Sequence, residues 1–437
     1  MDIFDKCNKF TQAREAIRAG YYPYFKPIQT AQAPEVRING ERKIVCCSNN
    51  YLGLTVDPRV KRACIDAIRK YGTSCTGSRF LSGSLELHER VEQKFAKFIG
   101  KESAILFTTG HHSNLGTISA LTTKGEVIIT DKLDHASIID GCRLSYAEMV
   151  RFKHNDMNDL ERVLIRYKDV NKLIVVDGVF SMEGDIINLP EVIRLAKKYN
   201  ARVMVDDAHS LGVLGKNGKG TAEHFGIDPN DVDIIMVTAS KSLASIGGLI
   251  AADEKVIHYI KHFARSMIYT ASLPPAQVAA IDMSLNIIIS EPERRERLWR
   301  NVKKMADGFR ALGYNIRNSQ SAIIPIIIGD ETKVLIMWRA LYDEGVFCSP
   351  VVSPAVPEGE SLIRTSYMAI HTDEQLDYVL NAFEKVGKKL GVIPGTYRPK
   401  PVKPRMRRFI SRMRIGAYKM KMFSKRIAKR YLWFGER

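Results

Sequence analysis

The sequence predicts an α/β fold in which a large, mostly parallel sheet covered by helices is followed by a smaller α+β lobe. Two patterns carry this expectation. Between Ser103 and Ile250, five short runs rich in apolar and β-branched residues alternate with helix-like segments. The runs are SAILFTTG, GEVIITD, KLIVVDGVF, ARVMVDDAHS and DIIMVTAS, and such alternation is what parallel strands joined by crossover helices produce. After Leu273-Pro274-Pro275 the alternation stops. A long, charged amphipathic helix, SEPERRERLWRNVKKMADGFRALGY, then leads into a strand, SAIIPIIIG.

In chain order, residues 1–60 are read as an N-terminal arm, 61–290 as the large domain and 291–392 as the small one. Residues 393–437 form a basic tail. Within the large domain, LPEVIRLAKKYN has apolar residues at helical spacing, and Pro190 suits a first helical turn. The small lobe ends near Leu390, where GVIPGTYRPKPVKP is rich enough in Pro and Gly to read as a linker. No internal repeat interrupts this order. In the tail, Met406, Ile410, Met413, Ala417, Met420, Ile427, Tyr431 and Phe434 recur mostly at gaps of three and four with Lys and Arg between them. This is a basic amphipathic helix, and it is equally a solvated tail or a helix lying on an anionic membrane surface.

Composition excludes several classes. A chain of 437 residues, 45% hydrophobic and 26% charged, is long enough for two or three lobes and a deep site. No apolar run approaches the ~20 residues needed to span a bilayer, and MDIFDKCNKF has no signal-peptide character, so the expected location is the cytoplasm. Seven cysteines without a CxxC pair suggest neither zinc nor a disulfide framework. The formal charge of +18 suggests nucleic acid until it is located: residues 395–437 hold fifteen Lys or Arg and one acid, leaving the body nearly neutral.

In a doubly wound sheet, ligands gather at the carboxyl ends of the strands. Here Thr109-Gly110, Asp131, Asp177, Asp206-Asp207 and Thr238 to Lys241 fall at those ends. Lys241, in Thr238-Ala239-Ser240-Lys241-Ser242, emerges from a buried strand among hydroxyls. A lysine there can hold pyridoxal phosphate as a Schiff base, provided that a carboxylate keeps the ring nitrogen protonated. Asp206 can do so. His209 is suited to the phenolic oxygen and His135 to stacking on the ring, while Thr109-Gly110-His111, Thr238 and Ser240 offer amides and hydroxyls to the phosphate.

Together and in this order, these residues resemble the α-oxoamine synthase family, pyridoxal-phosphate enzymes of the aspartate-aminotransferase fold that join an amino acid to an acyl thioester. The resemblance covers roughly residues 20 to 390. It is carried by SNNYLGL, GTSCTGSRFLSGSLELHERVE, DKLDHASIIDG, VDGVFSMEGDIINLP, MVDDAHSLGVLGKNGKG, TASKSLASIGG, YTASLPPAQ and LIRTSYMAIHT. It implies Lys241 as the Schiff-base lysine, Asp206 as the pyridinium partner, His209 and Ser181 beside the phenolic oxygen, and His135 as the stacking ring. The phosphate would go to Gly110, His111, Thr238 and Ser240, with Thr270 reaching in from the second subunit of a homodimer. The substrate carboxylate would meet Arg364, with Asn50 nearby. In catalysis, Arg364 would fix the amino acid and His135 would aim its Cα proton at Lys241, before attack on the thioester and loss of carbon dioxide.

Within the family, GYYPYFKPI, RFKHNDMNDLE, SKSLASIGGLIAAD and EGVFCSPVVSPAV are most similar to members that condense L-serine with palmitoyl-CoA to 3-ketosphinganine. Sister reactions from alanine, glycine or cysteate stay open, as does an acyl carrier protein donor. Two departures stand out: His111-His112 replaces an aromatic after the phosphate-loop glycine, and Ala271 replaces a polar residue on the partner's phosphate arm. Other classes fit less well. LGKNGKGT has Gly220 where a P-loop needs Ser or Thr, and the histidines and aspartates lack compact metal-ligand spacing. No nucleic-acid recognition motif accompanies the basic tail.

Overall fold

The computed structural model of the chain describes residues 2–394. Seven strands form one sheet in the spatial order Ser103–Phe107, Gly248–Ala252, Ile234–Thr238, Arg202–Asp206, Lys172–Asp177, Val127–Asp131, Glu148–Phe152. Gly248–Ala252 is antiparallel to both of its neighbours, and the other pairs are parallel. Side chains alternate between two cores. Ile129, Ile174, Val205 and Val237 enter the larger core, while Ile128, Val175, Met204 and Met236 enter the second. Burial on both faces is why these strands read as continuous apolar runs.

All five runs read from the sequence are strands of this sheet. Two further strands lack that signal. Glu148–Phe152 lies at the sheet edge and carries Glu148 and Arg151. Gly248–Ala252 is short and opens on a glycine because a helix packs hard against that end, where a Cβ at Gly248 would stand 2.7 Å from the Gly110 Cα. The helix read from LPEVIRLAKKYN runs Leu189–Lys198 with proline in its first turn. The long charged helix is Pro292–Ala311, preceded by a largely buried helix, Pro275–Ser290.

The small lobe is built on an antiparallel sheet in which Ser361–Ser366 lies between Ile323–Gly329 and Ser349–Val351. Pro325 is tolerated because its strand is an edge. Thr372 and Gln375 form a capping box on the helix Asp373–Leu390 that covers this lobe. The N-terminal segment differs from an arm. Glu35–Ile38 and Glu41–Val45 form a hairpin, and the second strand pairs in parallel with Val346–Phe347. Residues 35–45 are therefore built into the small lobe, through a pairing of segments about 300 residues apart that leaves no mark on local sequence. Among the described residues, no helix is long and apolar enough to cross a membrane. The tail helix expected at 393–437 lies, from Gly395 onward, outside the described residues.

Candidate active site

Strand Ile234–Thr238 ends at the carboxyl edge, where the chain folds back over Lys241 and re-enters the sheet at Gly248. The loop is closed by Ala239 N–H to the Gly247 carbonyl (2.8 Å), Ser245 N–H to the Ala239 carbonyl (3.0 Å) and Ala244 N–H to the Lys241 carbonyl (3.0 Å). Ala244 takes a left-handed backbone, φ 52°, to make this turn. Lys241 is half-buried, and burial pushes its amine down from the usual lysine range to about 7. Asp206 and Asp177 oppose this shift and Arg364 adds to it.

Asp206 ends the neighbouring strand and is 3% exposed. One carboxylate oxygen takes the Ala208 N–H (3.0 Å), and the other takes the Asn114 amide (2.7 Å). Asn114 also donates to the Ser137 hydroxyl at 2.8 Å, and Ser137 meets His135 Nδ1 at 2.7 Å. The Ser137 oxygen is thus an acceptor from Asn114 and a donor to His135. The Ser137 N–H also points at Nδ1, so the open donor of the imidazole is Nε2–H. Burial lowers His135, against the pull of Asp206, so it is neutral at pH 7. Asn114 was not read from the sequence, since a helix-interior asparagine carries no motif.

The helix Gly110–Leu121 starts at the same edge. Thr109 caps it by accepting the His112 N–H at 3.0 Å, which leaves the Gly110 and His111 amides as open donors at the positive end of the helix. Gly110 has to be glycine, because a Cβ would lie 2.9 Å from Thr238 Oγ1 and 3.0 Å from Met236 Cε. Thr238 Oγ1 and Ser240 Oγ are 2.9 Å apart beside it. The result is an anion cradle of amides and hydroxyls. The His111 ring is exposed and lies 3.6 Å from Asp140, so its contribution to the cradle is its backbone. Thr270 is half-buried, and next to it Ala271 and Ser272 line an open cleft of about 620 Å³ with Thr109, His112 and Ile246.

Arg364, on the central strand of the small lobe, is 7% exposed and forms no ion pair among the described residues. Its Nε donates to the Ser181 carbonyl (2.6 Å) and one terminal nitrogen donates to Asn49 Oδ1 (3.2 Å). Asn49, rather than Asn50, therefore stands beside it. The Asn50 amide turns the other way, to Thr55 Oγ1 (2.7 Å) and the Gln32 carbonyl (3.2 Å). Two adjacent asparagines are not separable by sequence pattern. Ser181 contributes its carbonyl to Arg364. His209, 9% exposed, meets the Tyr51 hydroxyl at 2.8 Å through Nδ1. Burial, with Lys241 and Arg364, holds it well below the usual histidine range, leaving a neutral ring with Nε2 free. Tyr51, like Asn114 and Asn49, is a residue that sequence reading missed.

Behind these groups lies a row of buried acids. Asp134 accepts the Asp131 and Asp177 amides at 2.7 and 2.9 Å, and Asp177 accepts the His135 amide at 2.9 Å. Burial, reinforced by neighbouring carboxylates, raises Asp134 and Asp177 well above the usual range. His154 bridges Asp131 (3.0 Å) and Asp185 (2.9 Å). Burial opposes its charge, yet the two carboxylates prevail and raise it to about 10.

Similar proteins match the chain over nearly their whole length. Serine palmitoyltransferase of Sphingobacterium spiritivorum is 50% identical over 388 residues, covering 89% of this chain and 97% of that one. An 8-amino-7-oxononanoate synthase of Thermoanaerobacter pseudethanolicus is 44% identical over 381 residues, covering 87% and 96%. Among solved structures, serine palmitoyltransferase of S. paucimobilis, a lysine-to-alanine variant with bound pyridoxal phosphate and myriocin, superposes with a TM-score of 0.87. It has 38% identity and covers 90% of this chain and 100% of that one. The family model for aminotransferase class I and II spans residues 41–383, from the hairpin of the small lobe through both sheets to its last helix, and the chain belongs to that family.

Proposed function

We propose that the protein is a pyridoxal-phosphate-dependent acyltransferase that condenses L-serine with palmitoyl-CoA, releasing coenzyme A and carbon dioxide, to give 3-ketosphinganine. The observation that carries the reading is Arg364: a buried guanidinium with no carboxylate of its own among the described residues, close enough to Lys241 to depress its pKa. A buried arginine in that state is a binding site for an anionic substrate group. The cofactor fits the chain, because the bare helix start at Gly110, where a Cβ would strike Thr238, is a cradle for its phosphate. Lys241 would hold its aldehyde carbon, Asp206 its ring nitrogen, His135 its ring face and His209 its phenolic oxygen.

When bound, pyridoxal phosphate supplies an electron sink next to the substrate Cα. The protein supplies position and proton transfer. Arg364 fixes the substrate carboxylate with its fork, restrained by Ser181 and Asn49. Lys241, with a pKa of about 7, is about half free amine at neutral pH and would take the Cα proton. His135, neutral and held at Nδ1 by Ser137, would offer Nε2–H to the bound substrate. Two subunits would share a site across the cleft beside Thr270 and Ala271. The tail, with fifteen Lys or Arg in residues 395–437, would attach the enzyme to an anionic surface on the cytoplasmic side, where a long-chain product partitions.

The choice of amino acid is tested by thiol release from palmitoyl-CoA with serine, alanine, glycine and cysteate offered separately. Serine is expected to be turned over at least about tenfold better than the others. Preference for alanine would move the chain to the activity of the 44% identical relatives. The depressed lysine gives a second expectation. Capture of pyridoxal phosphate by cofactor-free protein requires the unprotonated amine, so its rate should rise between about pH 6 and pH 8 and then level off. A rate still climbing toward pH 10 would describe an ordinary solvated lysine.

A further inference from the structure

Resting on the reading of Arg364 as the partner of the substrate carboxylate, we infer that His154 is a positioning residue for the amino acid. It anchors the turn whose carbonyl holds that arginine. The strand Lys172–Asp177 leaves the sheet into a reversal in which Val179 bridges Ile186. Between them, Phe180 N–H bonds to the Asp185 carbonyl (3.1 Å) and Gly184 N–H to the Phe180 carbonyl (3.0 Å). Ser181 stands at the head of this turn and takes Arg364 Nε at 2.6 Å. Backbone bonds tie the base of the reversal to the sheet, Gly178 N–H to the Asp206 carbonyl (2.8 Å), and Gly184 to the small lobe, Gln320 N–H to its carbonyl (3.2 Å), while side chains tie the Asp185 side of the turn to the strand end at Asp131.

His154 supplies the anchor. Nδ1 lies 3.0 Å from Asp131, at the end of a sheet strand, and Nε2 lies 2.9 Å from Asp185, in the turn. The ring meets Phe180 edge-on at 4.4 Å between centroids. An imidazole that serves two carboxylates at once has to donate from both nitrogens, so it acts as the cation. The next residue repeats the tie. Asn155 N–H bonds to Asp131 (2.7 Å), its side-chain amide donates to the Ile186 carbonyl (3.0 Å), and its oxygen accepts from Asn188 (3.0 Å). On the far side, Gly184 is wedged so tightly that a Cβ would lie 2.5 Å from the Ile323 carbonyl of the small lobe. Held from both sides, the turn fixes where the Ser181 carbonyl sits and hence how the Arg364 fork points.

The test is His154→Gln in the cofactor-loaded protein, read by the serine dissociation constant from calorimetry and by steady-state kinetics. The dissociation constant and KM for serine should rise about tenfold, while kcat changes by less than about threefold and the KM for palmitoyl-CoA stays put. In an Arg364→Lys background, His154→Gln should add less than about twofold, because both changes act on one contact. Amides of residues 180–186 should exchange faster in the variant, a readout that needs no turnover. Should His154→Gln fold poorly, Asp185→Asn keeps the imidazole and should shift serine affinity in the same direction. Unaltered serine affinity in a folded variant, or a full tenfold loss that persists beside Arg364→Lys, overturns the inference. Failure of the parent protein to bind any amino acid overturns the reading of Arg364 and the inference with it.

Discussion

Lys241→Ala is expected to fold, to bind pyridoxal phosphate without the visible absorbance of a lysine Schiff base, and to lose thiol release by about 10⁴-fold or more. The size of the loss follows from what remains in the site. His135 is held neutral and accepts at Nδ1 from Ser137, so it faces the reaction as a donor, and His209 is held at Nδ1 by the Tyr51 hydroxyl. Asp206 is already bonded to Asn114 and the Ala208 amide. His135 thus offers no lone pair to the Cα proton, and both carboxylate oxygens of Asp206 are engaged. The same substitution should not destabilise the fold. The folded pKa of Lys241 lies below its unfolded value, so between about pH 7 and pH 10 the unfolded chain binds more protons and stability rises with pH. Alanine removes that penalty. In cofactor-free protein, thermal unfolding should show the variant equal to or above the parent at pH 7, with the gap closing toward pH 10. A variant that melts much lower at every pH would mean that the lysine is structural.

Arg364→Ala should raise the KM for serine by about 10²-fold or more, since a charge-assisted contact in a buried site contributes about 3 kcal/mol. Uptake of the cofactor should be unaffected, because the cradle at Gly110 and the aspartate at 206 belong to the other lobe. Arg364→Lys keeps the charge and loses the planar fork, so it should fall between the two, nearer about tenfold. Kinetics with serine as the varied substrate separate these outcomes. An Arg364→Ala protein that binds serine normally would remove the strongest reason for an amino-acid substrate.

The sheet was legible in the sequence at the five strands that carry runs rich in apolar and β-branched residues, because two cores demand apolar residues at every position. It was not legible at Glu148–Phe152, whose edge place admits charge, or at Gly248–Ala252, a short run without β-branched repeats beyond Ile250 whose first glycine answers to the helix at Gly110. That Lys241, Asp206, His135 and the open amides at Gly110 meet at one edge of the sheet could be read, because strand ends converge in this topology whatever the details. Asn49, Tyr51 and Asn114 could not. Each acts by pointing a side chain at a group distant in sequence, and only folded geometry tells Asn49 from Asn50. The placement of residues 35–45 in the small lobe was hidden for the same reason, since a parallel pair with Val346–Phe347 has no local signature.

The central claim is that Lys241 carries the cofactor from which the chemistry is done. Borohydride reduction of protein loaded with pyridoxal phosphate, followed by peptide mass mapping, tests it most directly. The account predicts a single reduced adduct per chain, on the peptide that contains Lys241, and its loss when serine is added before reduction. Adduct on a different lysine, or none at Lys241 while the protein still turns over serine and palmitoyl-CoA, would contradict it.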